Sequence, residues 1–401
     1  MAIELSNLTF TNGADIVPAS GVEQILNTGI ANTLGGDDSI TGDPINSLSE
    51  VLNGTIEHLH GVYNSGTLNT DDGNDLITGT GRKYDLFAGT GIYNTIGTIE
   101  TGNGNDSITG LSASRGIQSL SGTINTGDGS DTIAGAATSI DGGSEFGIGI
   151  FTSYSTIDTG NGNDAITGTA LDSAYAVGIE NFLSTITTGH GNDIIIGNSA
   201  RGSVGIRNRG SINTGNGHDT ITGTDSGSRS FFFGSGIYNY EEIITGEGED
   251  IIIGSSDVDG IVNDGTINTG NGADYIIGRG GFFDEYDVYY GGGIKNRGTI
   301  NTGNGNDSII ADGGFDGSGN VLLGNGKDYL KGFGSGNFDG GNGKDALELT
   351  SGTYTVGISG TGVKFTKGSI IMNTSGFEEL IAGSTKYDFN RLTNGQTIVV
   401  A

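Results

Sequence analysis

The sequence contains no cysteine, so neither a disulfide framework nor a thiolate metal site can form. With only 2 prolines among 401 residues, collagen and proline-rich linkers are excluded as well. No run of about 18 apolar residues occurs, so no transmembrane helix is expected. The chain starts Met-Ala-Ile-Glu-Leu-Ser, without the basic and apolar regions of a secretory signal peptide, so no N-terminal signal is expected.

Basic residues are also scarce. The chain has 17 Lys and Arg against 47 Asp and Glu, which gives a formal net charge of −30. This charge argues against nucleic acid and against anionic membrane surfaces as partners. Two interpretations remain, a solvated acidic surface or carboxylates that bind cations. Because Asp recurs at one position of a repeated motif, the second interpretation is favoured.

Glycine, by contrast, is abundant, with 79 residues of 401, against an average near 7%. Glycine-rich turns alternate with short Ile-rich runs, and this alternation is typical of an all-β chain.

The turns share one motif, Thr-Gly-Asn-Gly-Asn-Asp followed by an apolar residue two places on. It occurs in full at, for example, residues 101–106 and 302–307, and in more or less degraded form along most of the chain. Successive motif Asp residues are separated by 17 to 37 positions, which indicates stacked repeats with variable inserts. The motif Asp residues are Asp38, Asp75, Asp106, Asp131, Asp164, Asp193, Asp219, Asp250, Asp274, Asp307, Asp328 and Asp345.

A second repeat, Gly-Ile-x-Asn, precedes most of these motifs. Each coil therefore has three apolar anchors, such as Ile294, Ile300 and Ile309. Each anchor lies in a short run bounded by Gly or Asn, which predicts a parallel β-helix, or β-solenoid, around a narrow core. The Asn of this repeat (Asn94, Asn208, Asn239 and Asn296) predicts a stacked asparagine ladder. The 17-residue step from Asp328 to Asp345 predicts a shorter coil with two strands.

Three regions follow from this pattern. Residues 1–33 carry no full motif and are predicted to form an N-terminal cap, because the first coil of a solenoid exposes an apolar end and unpaired strand edges. Residues 34–348 form the predicted solenoid. Residues 349–401 lack the motif and are predicted to form a C-terminal β cap with a last strand near residues 396–401.

The motif suits calcium. Glycines two residues apart allow a sharp turn that directs its carbonyl oxygens to one point, and the Asp adds a carboxylate. Calcium takes six to eight oxygen ligands in flexible geometry. One turn supplies too few, whereas two turns stacked about 4.8 Å apart supply enough. The sequence therefore predicts calcium sites between coils, with the twelve motif Asp residues as ligands.

On these residues the chain resembles the hemolysin-type calcium-binding, or RTX, repeat family, whose nonapeptide is Gly-Gly-x-Gly-x-Asp-x-apolar-x. Residues 340–347 match it fully, and most other copies have Thr in place of the first Gly. The resemblance covers residues 34–348, with one motif per long coil where the family's β-roll has two. It implies calcium-induced folding outside the cell and type I secretion through a C-terminal signal. Residues 376–380, Gly-Phe-Glu-Glu-Leu, are similar to an element found near such repeats.

The leading hypothesis is an extracellular or cell-surface calcium-binding β-solenoid with a structural or adhesive role. No catalytic motif occurs, so no catalytic residue and no organic cofactor is predicted. The alternative is a β-helix carbohydrate-active enzyme that acts on acidic polysaccharide, for which Asp284, Glu285 and Asp287 are the candidate acids. Besides calcium, a cell-surface polysaccharide is the candidate partner. A second alternative is an ice-binding solenoid. Its candidate row is the motif Thr at Thr101, Thr214, Thr269 and Thr302.

Other features give weaker signals. A metal-free turn ladder would also place Asp, Asn and Gly in these turns. Two inserts, residues 228–236 with three Phe and residues 280–291 with acidic and aromatic residues, either cover the solenoid flank or contact a sugar or partner. A metal pair of His58 and His60 is disfavoured by strand alternation. His190 and His218 are expected to be solvated.

Overall fold

The computed structural model describes residues 2–18, 23–44, 59–84, 87–138, 146–171, 175–200, 203–226, 234–283 and 289–401. Over these residues the chain is a β-solenoid made almost entirely of parallel strands, as the repeats predict. Each coil contributes strands to three columns, which we name A, B and C. Columns A and B lie in one sheet, and column C forms the other.

Column A includes the Gly-Ile-x-Asn repeats, and column B precedes each turn motif. Two strands, Tyr175–Thr187 and Val204–Asn213, run through both columns. The other column A strands are Ala2–Glu4, Gln24–Asn27, Val62–Asn64, Thr90–Thr95, Arg115–Leu120, Phe146–Ser153, Ser235–Asn239, Asp259–Asn263, Gly292–Asn296 and Phe315–Asp316. The other column B strands are Ile30–Asn32, Thr67–Asn69, Thr98–Glu100, Thr123–Asn125, Thr156–Asp158, Glu242–Ile244, Thr266–Asn268, Thr299–Asn301, Asn320–Leu322 and Gly336–Asp339.

Column C follows each turn motif and stacks in parallel from one end of the solenoid to the other. Its strands are Ile16–Val17, Ser39–Gly42, Leu76–Thr80, Ser107–Ser112, Thr132–Ala137, Ala165–Ala170, Ile194–Ser199, Thr220–Asp225, Ile251–Ser255, Tyr275–Arg279, Ser308–Asp312, Tyr329–Lys331, Ala346–Leu349 and Glu379–Ala382.

The core consists of three rows of stacked apolar side chains, one per column. In the pairing between coils, Ile92 is opposite Ile117, and Ile117 is opposite Ile150. The predicted anchors Ile294, Ile300 and Ile309 are all 0% exposed. Burial of one such side chain contributes about 1.5–3 kcal/mol, so the repeated Ile positions supply most of the apolar stabilisation.

Glycine allows the two sheets to approach closely on one side of the core. A Cβ placed on Gly110 of column C would lie 2.2 Å from the carbonyl oxygen of Gly116 in column A. No side chain fits at that separation, so the core is wide enough for single Ile rows and no more.

The predicted asparagine ladder is confirmed. The Nδ2 of Asn181 donates to Oδ1 of Asn208 at 2.8 Å, and Asn208 donates in the same way to Asn239. These side chains are 0% exposed. Further steps join Asn27 to Asn64, Asn64 to Asn94, Asn239 to Asn263 and Asn263 to Asn296. Except for Asn27 at the start of the ladder, whose Oδ1 has no partner, each of these amides both donates and accepts.

The coils become smaller towards the C-terminus. Column A ends at Phe315–Asp316, which is joined to the next coil only through a single bridge from Phe315 to Gly334. The coil between Asp328 and Asp345 therefore has two strands, Tyr329–Lys331 and Gly336–Asp339, as its length predicts.

The two ends differ. At the N-terminal end, Ala2–Glu4 and Ile16–Val17 already pair in parallel with the following coil. At the C-terminal end, antiparallel strands cover the stack: Gly352–Ser359, Gly362–Lys367, Ile370–Ser375, Thr385–Asp388 and Thr397–Val400. The C-terminal β-strands are thus confirmed, while the division at residues 33 and 349 into separate caps stays a prediction.

Two hairpins, Lys83–Tyr84 with Phe87–Ala88 and Phe282–Phe283 with Tyr289–Tyr290, project from the coils. Asn325–Gly326 pairs with Asn342–Gly343, and two 3-10 turns lie at Leu5–Asn7 and Phe389–Arg391. No helix among the described residues is long and apolar enough to span a membrane. Several predicted residues lie outside the described ranges, namely His58, Phe231, Phe232, Phe233, Asp284, Glu285 and Asp287.

Candidate metal centre

The turn motif has the same backbone conformation in ten coils. Numbering Thr-Gly-Asn-Gly-Asn-Asp from 1 to 6, the glycines at position 2 have φ between +82° and +97°, and those at position 4 between +137° and +158°. Both conformations favour glycine. In the two degraded copies, Leu34 and Asp71 stand at position 2 with φ of +68° and +58°, which costs strain of about 1 kcal/mol or more each.

The turns stack closely because position 4 has no side chain. A Cβ placed on Gly129 would lie 1.4 Å from the carbonyl oxygen of Gly104 in the preceding coil. That oxygen therefore points along the solenoid axis into the gap between turns. Among the ten turns with glycine at positions 2 and 4, Gly326 is the only position-4 residue whose carbonyl accepts a protein hydrogen bond, from the N–H of Lys344.

The motif Asp side chains form one continuous ladder. The backbone N–H of each Asp donates to Oδ1 of the Asp in the next coil, at 2.8 or 2.9 Å in all eleven steps from Asp38 to Asp345. All twelve residues are at most 2% exposed. The structure thus brings every predicted metal-binding residue into a single buried column.

The second oxygen of each carboxylate has no partner. Oδ2 of all twelve Asp residues is buried and accepts no hydrogen bond. The nearest hydroxyl is that of the Thr at position 1, but in the coil of Thr101 it donates to the Thr126 carbonyl at 3.2 Å. A hydroxyl has one proton, so a Thr bonded in this way cannot also satisfy the carboxylate; among the described position-1 Thr residues, only the Thr159 hydroxyl has no partner. Because an unpaired buried acceptor costs about 1–3 kcal/mol, the orphaned row calls for a cation or a proton.

Burial raises the pKa of every carboxyl in the column, and neighbouring carboxylates raise several of them further. The pKa of Asp131 and Asp307 rises to about 7. The pKa rises to about 6 at Asp75, Asp164, Asp219, Asp274 and Asp345. The hydrogen bond from the backbone N–H of the preceding Asp lowers the pKa, and its effect is outweighed by burial. A metal-free column therefore holds protons near neutral pH.

The oxygens in the column match a hard divalent cation. Each Asp contributes one carboxylate oxygen without a partner, and the position-4 carbonyl oxygens lie against the glycine of the next turn. Among the described residues, no group of three or more His, Asp or Glu side chains could hold a metal. A cation in the column would combine carboxylate oxygens of successive coils with carbonyl oxygens, and oxygen ligands in flexible geometry fit calcium.

The outer side of the turn presents two exposed rows, at positions 3 and 5. Asn103 donates to Asp72 and Asn161 to Asp128, each at 2.7 Å, within the position-3 row. At position 5, the side chain of one coil accepts the N–H of the next, and Nδ1 of His218 takes this role for Glu249. His190 and His218 are exposed, as expected.

The Thr residues at position 1 lie inside the solenoid. Thr101, Thr214, Thr269 and Thr302 are 0% exposed. Their hydroxyls donate to carbonyl groups of the next coil. The prediction that this row could contact ice is therefore wrong, because the side chains point inward beside the buried carboxylates. His60 is also buried, and its Nδ1 accepts the N–H of Thr90, which removes it as a metal ligand.

Sequence reasoning missed both ends of the column. Asp15 donates its N–H to Oδ1 of Asp38 at 2.7 Å, and so occupies position 6 of the first turn. Glu378 accepts the N–H of Asp345 at 2.8 Å, in place of a further Asp. One signal was available, since Asp15 and Glu378 are each followed two residues later by a buried apolar residue, Val17 and Leu380.

No protein-family model and no curated protein matches this sequence. One similar solved structure is that of a hyperactive, Ca2+-dependent, β-helical antifreeze protein from an Antarctic bacterium. It is 16% identical, the alignment covers 94% of both chains, and the TM-score is 0.44. A TM-score below 0.5 does not establish a shared fold. The fold and the site are therefore derived from the geometry of this chain alone.

The role of Glu378 can be tested by substitution. Glu378→Ala leaves the N–H of Asp345 without its acceptor, so the free energy of unfolding should fall by about 1–3 kcal/mol in denaturant titrations. The neighbouring Glu379 is the control. It forms an exposed ion pair with Lys386, so Glu379→Ala should cost about 0–1 kcal/mol. Equal losses in the two variants would contradict the capping role.

Proposed function

We propose that this protein is a calcium-binding β-solenoid in which calcium occupies the carboxylate column. The observation that carries this proposal is the complete row of twelve buried Oδ2 atoms without partners. A metal-free turn ladder would pair both oxygens or place one of them in solvent. Here one oxygen holds the adjacent coil and the other is left for a ligand.

Electrostatics support a divalent ion. Stacked carboxylates about 5 Å apart repel by roughly 1 kcal/mol at the dielectric constant of water and several-fold more at an effective value near 20. Summed along a column, this is large against a net folding stability of about 5–15 kcal/mol. Interleaved divalent cations turn the repulsion into attraction. Oxygen-only ligands favour calcium over zinc.

The proposed biological role is structural or adhesive, in an extracellular or cell-surface setting, without catalysis. The chain would leave the cell unfolded, where calcium is scarce, and fold on meeting calcium outside, because metal binding and folding are linked. Two features support this role. Bound calcium would stabilise the fold of an extracellular chain that has no cysteine for disulfides, and the turn motif resembles RTX repeats.

Two Asp residues of one turn provide a matched test of calcium binding. Asp131 is 1% exposed in the column, whereas Asp128 lies at position 3, where neighbouring coils have Asn. In calorimetric titration the wild type should bind several calcium ions, and Asp131→Asn should lower that number by one or two, since each Asp borders two gaps. Asp128→Asn removes the same charge and should leave the number unchanged.

Removal of calcium should also unfold or destabilise the protein. Circular dichroism in EDTA should show loss of the β signal or a lower melting temperature, and added calcium should restore both. If the spectrum and the melting temperature are the same with EDTA and with calcium, the proposed function is wrong.

The raised pKa values give the metal-free protein an unusual pH dependence. A carboxyl whose pKa is higher in the folded state than in the unfolded state stabilises the fold at low pH, and this contribution is lost as pH rises through the folded-state pKa. For Asp131 and Asp307 the loss centres near pH 7, and for Asp164 and Asp219 near pH 6.

In EDTA, the melting temperature should therefore be higher at pH 5 than at pH 8. Saturating calcium should reverse this order, because calcium binds the deprotonated carboxylates. Thermal melts at both pH values, with and without calcium, measure the effect. A metal-free protein that is more stable at pH 8 would show that the column does not hold protons.

Ice binding is a second candidate function, and the outer turn rows favour it. The side chains at positions 3 and 5 are mostly polar and exposed, with Asn the commonest residue, and are held in register by bonds such as Asn342 to Asn325 at 2.8 Å. A rigid, regularly spaced row of this kind can order water along the solenoid. The rows replace the buried Thr residues as the candidate surface.

Thermal hysteresis in the presence of calcium tests this function. Wild-type protein should separate the freezing and melting points, and Asn161→Lys, which places a long charged side chain in the row, should abolish most of the effect. Asn390→Lys, at an exposed residue of the C-terminal 3-10 turn Phe389–Arg391 and outside both rows, is the control and should retain it. Absence of hysteresis in the wild type would exclude ice binding.

A further inference from the structure

The outward side of column C is an uncharged surface that runs along the solenoid. In each coil from Ser39–Gly42 to Ser308–Asp312, the side chains at the first and third strand positions point away from the core. They stack in register from coil to coil, and we call them the column C face. The face consists of Ser39, Thr41, Leu76, Thr78, Ser107, Thr109, Thr132, Ala134, Ala165, Thr167, Ile194, Ile196, Thr220, Thr222, Ile251, Ile253, Tyr275, Ile277, Ser308 and Ile310.

The column C face differs from the neighbouring outward rows in charge. The chain is 16% charged, whereas none of the twenty residues of this face carries a charge. In column A, the outward row includes Glu180 and Arg207 in successive coils. In column B, it includes Glu100 and Asp158. Because the chain has a net charge of −30, a second copy would be repelled least where the surface is uncharged.

The strands of column C also have the sequence of strands that are covered on both sides. Such strands in parallel sheets read as near-continuous apolar runs, whereas strands exposed on one side alternate. Residues 194–196 and 251–253 are each three consecutive Ile, and residues 275–277 are Tyr-Ile-Ile. Nevertheless, Ile194 and Tyr275 are 42% and 45% exposed. The outer side of this sheet is therefore suited to a partner that covers it.

The two halves of the face have complementary side-chain sizes. In the five coils from Ser39 to Thr167, every residue of the face except Leu76 is Ser, Thr or Ala. In the five coils from Ile194 to Ile310, seven of the ten residues are Ile or Tyr. A two-fold axis parallel to the strands reverses the order of coils in a second copy. It therefore places the large side chains of each copy on the small ones of the other, in a self-complementary contact.

A second copy matches the face in spacing and in area. Both copies repeat at the strand separation of about 4.8 Å, so they stay in register along all ten coils. With a width of about five strand residues, the face measures about 48 Å by 16 Å. Two such faces bury about 1,500 Å², and stable interfaces bury about 1,200–2,000 Å². The fifth strand position is uncharged from Thr80 to Ser255, and Arg279 and Asp312 follow it at the rim.

The uncharged surface ends where the proposed contact ends. The next two coils have Lys331 and Glu348 in register with Ile310, and these two side chains form an ion pair with each other at 3.1 Å. With the two-fold axis between the coils of Thr167 and Ile196, ten coils of one copy face ten of the other. The charged coils then extend past the end of the partner's face, into solvent.

We propose that the column C face binds a second copy of this chain, with the two solenoids side by side and antiparallel. The two sheets pack face to face, about 10 Å apart, as in a β-sandwich. The contact uses none of the motif Asp side chains, so it goes beyond calcium binding. An antiparallel pair of solenoids also presents its turn motifs on both sides of the assembly.

Sedimentation velocity on the full chain, in calcium, tests the association. The wild type should have about twice the mass of one chain, which is 40.7 kDa. Thr167→Lys places one ammonium group from each copy beside the two-fold axis. It should raise the dissociation constant about a hundredfold, because like charges that face each other across an interface are strongly disfavoured.

Thr156→Lys is the matched control. Thr156 lies in the same coil as Thr167, but on the exposed outer side of column B. The same substitution there adds the same charge and should leave the dimer intact. Circular dichroism should show that both variants retain the solenoid.

Cross-linking tests the antiparallel orientation. The chain has no cysteine, so Thr41→Cys and Ile310→Cys each supply a single thiol, at opposite ends of the face. In the proposed dimer, the thiol of one variant lies opposite that of the other. A mixture of the two variants should therefore cross-link with a bismaleimide. Either variant alone should not, since its two thiols are about nine coils, or about 43 Å, apart.

Three results would overturn the proposal. The first is a wild type that remains a single chain at about 100 µM, above the micromolar-to-picomolar range of interfaces of this area. The second is a Thr167→Lys variant that associates as tightly as Thr156→Lys. The third is cross-linking of Thr41→Cys or Ile310→Cys with itself in place of the mixed product.

Discussion

The whole solenoid depends on the hydrogen bond from the N–H of one motif Asp to the carboxylate of the next. This bond fixes the last residue of each turn and, two residues later, directs an Ile into the core. It also forces a carboxylate into a place that water cannot reach. The fold therefore buries one carboxylate in each coil, and the free-energy cost of removing that carboxylate from water must be offset. The other features of the turn determine how this cost is offset.

Two buried ladders show why only one of them requires a ligand. The amide of Asn208 both accepts from Asn181 and donates to Asn239, so a column of amides is complete in itself. The carboxylate of Asp219 accepts from Asp193 and has nothing to donate. Its second oxygen has no hydrogen-bond partner, and the same is true of the motif Asp in every coil. The column can therefore bind positive charge. The asparagine ladder is thus a self-contained structural element, whereas the carboxylate column has free oxygens that can bind a cation.

Much of this arrangement could be predicted from the sequence, because the same residue types recur at equivalent positions of successive coils. The spacing of Ile294, Ile300 and Ile309 gave the three columns, and the position of Asp after two turn glycines gave the row of carboxylates. What could not be predicted depends on contacts between coils. Glu378 completes the column only because a distant strand, Glu379–Ala382, packs on Ala346–Leu349. Likewise, Thr101 follows the buried Ile99 by two residues, but only the stacked turns show that the inward alternation of the strand continues into the turn.

The carboxylate ladder also has a direction. Every N–H donor belongs to the earlier coil and every acceptor to the later one, from Asp15 to Glu378. The column therefore has two chemically different ends, as a polar filament does, and each coil interacts mainly with the two coils next to it. Each turn is completed by chain that follows it in the sequence, and the last turn is completed by an element outside the repeat. The C-terminal strands therefore serve as the template that terminates and sets the register of the array.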